Sequence, residues 1–160
     1  MTTKEKFINT KTYGYNQLQT IAAGLRDGLD VSWYASPKFT YPQMFRILSG
    51  LRNGFDVSYY ADPKFSWEQM DLIYRGLEDG LDVSIYADSR FTSYQMAQIL
   101  YGLEKKLDVT IYADTKYTIW QMTEIIKGLE KGLDVTTYAD PKYNDLQMRK
   151  IRERLEEESK

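Results

Sequence analysis

The side chains available for chemistry are carboxylates, amines, guanidinium groups and phenols, because the 160-residue chain has no His and no Cys. Thiolate nucleophiles, disulfides, the usual zinc sites and any imidazole acid or base are therefore excluded. What is left recurs at fixed intervals. Asp30, Asp56, Asp82, Asp108 and Asp134 stand 26 residues apart, and so do Lys38, Lys64, Arg90, Lys116 and Lys142. Spaced carboxylates suggest metal binding or acid–base work, but a period this long holds successive Asp side chains on separate units, too far apart for paired chemistry. A helix-capping role accounts for them without a ligand. The cationic series would meet phosphates or an acidic partner if it formed a stripe. Against that, Asp62, Asp88, Asp114 and Asp140 each lie two residues before their cation, the pattern of a solvated charge array. No Gly-Lys-Ser/Thr sequence occurs, so the glycines form no phosphate loop. The residues predict no metal, no cofactor and no enzyme.

These residues belong to a tandem repeat. Gly24-Leu25, Gly50-Leu51, Gly76-Leu77, Gly102-Leu103 and Gly128-Leu129 share the 26-residue period, as do Gln17, Gln43, Gln69, Gln95, Gln121 and Gln147. Tyr34, Tyr60, Tyr86, Tyr112 and Tyr138 keep it too. In residues 66–91, Ser66 and Gln69 form a capping-box pattern, and Phe65 with Met70 has the spacing of a hydrophobic staple. The other starts are Thr40/Gln43, Thr92/Gln95, Thr118/Gln121 and Asn144/Gln147, with staples Phe39/Met44, Phe91/Met96, Tyr117/Met122 and Tyr143/Met148. Met70, Ile73, Tyr74 and Leu77 then mark the buried face of a helix. Gly80 suits the position just past its end. Lys106 replaces that glycine in the fourth unit, where a looser or differently shaped end is expected. Gly76 falls inside the helix on its core side, which predicts close approach of a neighbouring helix.

Residues 81–87 can be read two ways. Alternation of Leu81, Val83, Ile85 and Ala87 suits a strand and would give an α/β solenoid. Val83, Tyr86 and Ala87 instead form an i, i+3, i+4 face, with Asp82 as an N-cap, and this favours a short second helix. Each unit is then a long helix, a short helix and a turn, and none can bury its apolar face alone. The expected fold is an all-α, right-handed solenoid of about five and a half units. Residues 1–12 should form an N-terminal cap, 13–143 five repeats and 144–160 a C-terminal capping helix.

Composition agrees with a folded chain, at 42% hydrophobic and 28% charged residues. A net charge of -2 argues against broad attraction to nucleic acid or anionic lipid. No secretory signal and no membrane span is visible, so a cytoplasmic protein is expected. The string Gly80-Leu81-Asp82-Val83-Ser84-Ile85-Tyr86-Ala87-Asp88 after Gln69-Met70 resembles a short tandem repeat of Firmicutes phage and mobile-element proteins. The resemblance spans about residues 13–155. It implies a phage or mobile-element source, a bacterial host cell and a binding role on a host protein. Inhibition of a defence system such as a CRISPR nuclease is one specific form of that role.

Function should lie where the units differ. Trp33 and Tyr59 in the short segments, and Phe45, Leu72, Tyr94, Tyr101 and Trp120 on the long helices, break the pattern with large apolar side chains. Exposed aromatics dominate protein interfaces, so these seven are the candidate partner-binding residues. Packing between units is the alternative for each of them. A nucleic-acid-binding solenoid using the Lys/Arg row, and a passive spacer, are the other readings. A monomer or weak oligomer is expected.

Overall fold

The computed structural model describes residues 12–159, which leaves the expected N-terminal cap outside it except for Thr12. Among the described residues there are six α-helices and no strand: α1 (Tyr15–Arg26), α2 (Tyr41–Arg52), α3 (Trp67–Glu78), α4 (Ser93–Glu104), α5 (Ile119–Glu130) and α6 (Asp145–Glu158). A single 3-10 turn separates each consecutive pair, at Val31–Trp33, Val57–Tyr59, Val83–Ile85, Val109–Ile111 and Val135–Thr137. The all-helical repeat is thus confirmed. The short segment is tighter than the helix the sequence suggests, and it is not a strand. The described residues form two compact units, one ending at Gly80 and the other beginning at Leu81. In the first, α1 packs on α2 and α2 on α3; in the second, α4 packs on α5 and α5 on α6.

The helices begin where the capping pattern places them. Ser66, Thr92, Thr118 and Asn144 accept the backbone N–H of the Gln three residues on, and the cap N–H in turn donates to that Gln side chain at 2.7–2.9 Å. Gly14, without a side chain, still donates its N–H to Gln17 Oε1 at 2.7 Å. The other half of the glutamine amide reaches into the next repeat. In the first unit Gln43 Nε2 donates to the carbonyls of Phe65 (2.6 Å) and Pro63 (3.3 Å). In the second, Gln121 Nε2 donates to those of Tyr143 (2.7 Å) and Pro141 (3.1 Å). One side chain therefore caps its own helix and fastens the loop of the following repeat. Each such bond contributes about 1 kcal/mol net.

The first five helices end in a left-handed residue. Gly28, Gly54, Gly80 and Gly132 have φ between 67° and 71°. Lys106 takes the same conformation, with φ 57°. Its N–H bonds Leu103 O at 3.0 Å and Leu107 N–H bonds Gly102 O at 2.9 Å, the same paired closure seen at Gly54 and Phe55. The fourth helix end is not looser; it has the same shape with backbone strain added.

The recurrent helical glycine is a packing residue, but its close neighbour is the short turn of its own repeat and not another helix. Tyr34, Tyr60, Tyr112 and Tyr138 are fully buried, and a Cβ at Gly24, Gly50, Gly102 or Gly128 would lie 1.9–2.1 Å from the hydroxyl oxygen of the tyrosine ten residues on. Each hydroxyl donates to a carbonyl one turn before the glycine, as from Tyr138 to Glu124 O at 3.0 Å. The Asp series caps the 3-10 turns: Asp30, Asp56, Asp82, Asp108 and Asp134 accept the N–H two residues on at 3.0–3.2 Å.

Candidate protein-binding surfaces

In α2 to α5, with each helix counted from its first residue, positions 3, 4, 7, 8 and 10 are buried and share one arc of the helical wheel. Positions 1, 2, 5 and 9 share the opposite arc and are partly or fully exposed. Phe45 (position 5), Tyr94 and Trp120 (position 2) and Tyr101 (position 9) all fall on this outer arc and are exposed. Trp33 and Tyr59 are exposed as well, but they ride on the 3-10 turns that pack on the glycine side of their helices. Within the first unit, Phe45 therefore lies on a different face from Trp33 and Tyr59. Leu72 is half-buried.

In the second unit, position 2 carries an unbroken apolar column: Tyr94 is 72% exposed, Trp120 64% and Leu146 53%. Tyr101 is less free. Its hydroxyl donates to Glu130 Oε1 at 2.5 Å, tying α4 to α5, and Lys105 Nζ lies 5.7 Å from its ring. That hydrogen bond raises the phenol's pKa above its ordinary value.

In the first unit, the exposed column is at position 1, where Tyr15, Tyr41 and Trp67 stand. Sequence reasoning passed over these three and Leu146, although they also vary between repeats. Position 1 lies on the outer arc of the helical wheel, away from the buried stripe. Tyr41 packs its ring against Phe45 with centroids 6.2 Å apart. Tyr74 belongs to the core: Asn53 donates to its hydroxyl at 2.7 Å, Phe55 meets it edge-on and the Arg46 guanidinium lies 4.6 Å from its ring.

The cationic row is engaged with its own loops. Arg90 forks onto Asp88 at 2.5–3.0 Å, Lys142 pairs with Asp140 at 3.0 Å and Lys116 with Asp114 at 3.7 Å. The hydrogen bonds from Arg90 hold the Asp88 carboxyl below its usual range, and the Lys142 backbone N–H and ammonium do the same for Asp140. Asp62 accepts the Lys64 N–H at 2.9 Å, and Lys38 follows Ser36 instead of an acid. An open depression of about 400 Å³ lies between the Asp88/Arg90 and Asp114/Lys116 loops, lined by both signs of charge.

The second unit also contains a buried ionic cluster that the repeat pattern hides. Glu124 on α5 is 2% exposed in a column that is otherwise Thr20, Arg46, Leu72, Gln98 and Lys150. It accepts from Lys127 Nζ (2.9 Å), Arg152 Nε (2.9 Å) and Arg149 Nε (3.4 Å). Arg152, buried on α6, also pairs with Glu156, which Lys131 meets at 2.6 Å. Burial opposes ionisation of Glu124, but the hydrogen bonds and charges of Lys127 and Arg152 outweigh it and lower its pKa.

Among the described residues no group of three or more His, Cys, Asp or Glu is arranged to hold a metal ion, and no helix is long and apolar enough to cross a membrane. Comparison with protein-family models, with curated proteins and with solved structures returns no match.

Proposed function

We propose that the chain is a non-catalytic protein-binding module whose outer helix faces dock on another protein. One observation carries this reading. Tyr94 and Trp120 occupy the same position on adjacent helices and are mostly exposed, while the repeat's own tyrosines are fully buried. Large exposed aromatics supply contact area at small entropic cost and recur as interface anchors. The repeat's resemblance to phage and mobile-element sequences supports a host protein as partner in the bacterial cytoplasm, with inhibition of a defence nuclease as a specific form. Nucleic acid is a poorer fit, because Arg90, Lys116 and Lys142 are paired with carboxylates two residues away.

The test is affinity capture from a Firmicutes lysate with the tagged chain beside its Tyr94→Ala/Trp120→Ala variant. A stoichiometric protein held by the wild type alone, with unchanged thermal unfolding of the variant, is the expected result. Equal recovery by both chains, or recovery of nucleic acid in place of protein, would sink the aromatic-column reading.

A further inference from the structure

An asparagine side chain reacts most readily with the backbone when glycine follows it, because glycine puts no side chain in the way of the attacking nitrogen. Asn-Gly occurs once in this chain, at Asn53-Gly54. The pair stands just past α2, where Asn53 is exposed and Gly54 has φ 70°. The other repeats carry Asp27, Asp79, Lys105 and Lys131 at the place of Asn53.

The folded turn holds this pair in an unreactive arrangement. Asn53 has φ -87° and ψ 1°, and the Gly54 nitrogen is turned back to the helix, donating to Leu51 O at 3.1 Å. The Asn53 amide is fixed as well: Nδ2 donates to Ser49 O at 3.1 Å and to the Tyr74 hydroxyl at 2.7 Å. Tyr74 is buried on α3, so a core ring of the next repeat restrains the labile side chain. Attack requires these bonds to open and the backbone to rotate at Asn53. Neighbouring charge then decides what the product does. Asp27 pairs with Arg52, 25 residues on, and Lys131 with Glu156 at the same spacing. The same spacing from Asn53 reaches Glu78. A neutral residue suits that place, whereas a carboxylate would add negative charge at the C-terminal end of α2, where the helix dipole already disfavours it.

We propose that Asn53 is a site of spontaneous deamidation, gated by opening of the turn that Tyr74 holds, and that the product loosens α3 from α2. The Gly54 nitrogen attacks Asn53 Cγ, its proton leaves with the side-chain nitrogen as ammonia, and a succinimide forms. Water then opens the ring at either carbonyl. Hydrolysis at Cγ gives aspartate with the backbone restored. Hydrolysis at the main-chain carbonyl gives isoaspartate, with the chain running through the former side chain. Neither carboxylate can donate to Ser49 O or to the Tyr74 oxygen, and each adds a negative charge on the side of Glu78. Loss of ammonia makes the step one-way, so the fraction converted records how often the turn has opened.

The experiment is incubation of the folded full chain in mildly alkaline buffer, with conversion followed by peptide mapping in a mass spectrometer and isoaspartate counted by enzymatic methylation. A synthetic peptide of residues 49–58 serves as the open reference. Asn53 is expected to convert ahead of the chain's other asparagines, and more slowly than in the peptide. Tyr74→Phe should speed conversion about fivefold, the effect of one lost hydrogen bond on an opening equilibrium. Ile125→Val, which thins the core of the other unit, should leave the rate unchanged. Asn53→Asp should lower the melting midpoint, and Asn53→Asp/Glu78→Lys should raise it again by supplying the kind of pair that Asp27 makes with Arg52. Earlier conversion of another asparagine, or no conversion at Asn53 while the peptide reacts fully, would overturn the site. Equal rates with and without the Tyr74 hydroxyl, or equal acceleration by Ile125→Val, would overturn the gate. An Asn53→Asp chain as stable as the wild type would overturn the loosening of α3.

Discussion

A methyl group at Gly50 would stand 1.9 Å from the Tyr60 hydroxyl oxygen and 2.9 Å from Val57 Cγ1, so the helix and the short turn of this repeat touch through the missing side chain. Ala is the better helix former by about 1 kcal/mol, yet overpacking here outweighs that gain. Gly50→Ala should lower stability by ~1–3 kcal/mol. Gly50→Ala/Tyr60→Phe should recover part of the loss, because the hydroxyl is the nearest atom. Urea unfolding of the two variants checks this; a stabilised Gly50→Ala protein would show that the turn can move aside.

Lys106 performs a glycine's task. Its φ of 57° is strained for any residue with a Cβ, while Gly54 in the equivalent place has φ 70° without that cost. Lys106→Gly should therefore stabilise the chain by ~0.5–1 kcal/mol, the relief of strain less the greater chain entropy of unfolded glycine. Thermal melts would reveal a higher midpoint. No gain would imply that the lysine side chain contributes as much as its backbone costs.

Alkaline pH should unfold the protein through its buried phenols. Burial raises the pKa of Tyr34 and Tyr138 to about 12, and those of Tyr60 and Tyr112 higher still. An unfolded tyrosine ionises near pH 10, so stability is intact below that value and falls as pH rises toward the folded pKa. Each such phenol contributes up to ~1.4 kcal/mol per pH unit across that window. Ultraviolet titration should show the exposed tyrosines ionising first and a second group ionising only with loss of helix. A single smooth titration with retained helix would contradict the burial of these rings.

The Glu124 and Arg152 pair fastens α6 to α5. Glu124→Leu removes the buried partner of Arg152, which keeps only the more exposed Glu156, and should cost up to about 3 kcal/mol, while Glu124→Leu/Arg152→Leu should recover most of that, as apolar replacements of whole buried pairs do. Because the Glu124 pKa is lowered in the folded chain, its contribution holds above the ordinary carboxylate range and is lost as pH falls through it. Glu124→Gln should consequently flatten the acid limb of the stability curve. Guanidinium titrations at a series of pH values would measure both effects, and additive single losses would argue against direct coupling.

Much of this fold was legible because it is local. Thr118 and Gln121, three residues apart, must meet when a helix starts there, and the Asp108 side chain reaches the Thr110 N–H two residues on whatever the rest of the chain does. The same locality explains why the Asp and Lys/Arg rows could be set aside as ligands. It also explains the errors. The Lys106 side chain suggested an altered helix end, but the surrounding backbone bonds impose one shape on any residue placed there.

By itself the sequence determined the 26-residue period by recurrence and the absence of thiol and imidazole chemistry by composition, and the helix starts and ends and the buried stripe because these follow from residues a few positions apart. Tertiary structure alone decided the rest. It assigned the second amide contact of Gln43 to a carbonyl 22 residues away, set the helical glycine against a tyrosine hydroxyl, buried Glu124 opposite Arg152, and sorted the variable aromatics between outer helix face and short turn. These are contacts between segments that meet only after stacking, and their distances depend on how the backbones pack, which no spacing along the chain encodes.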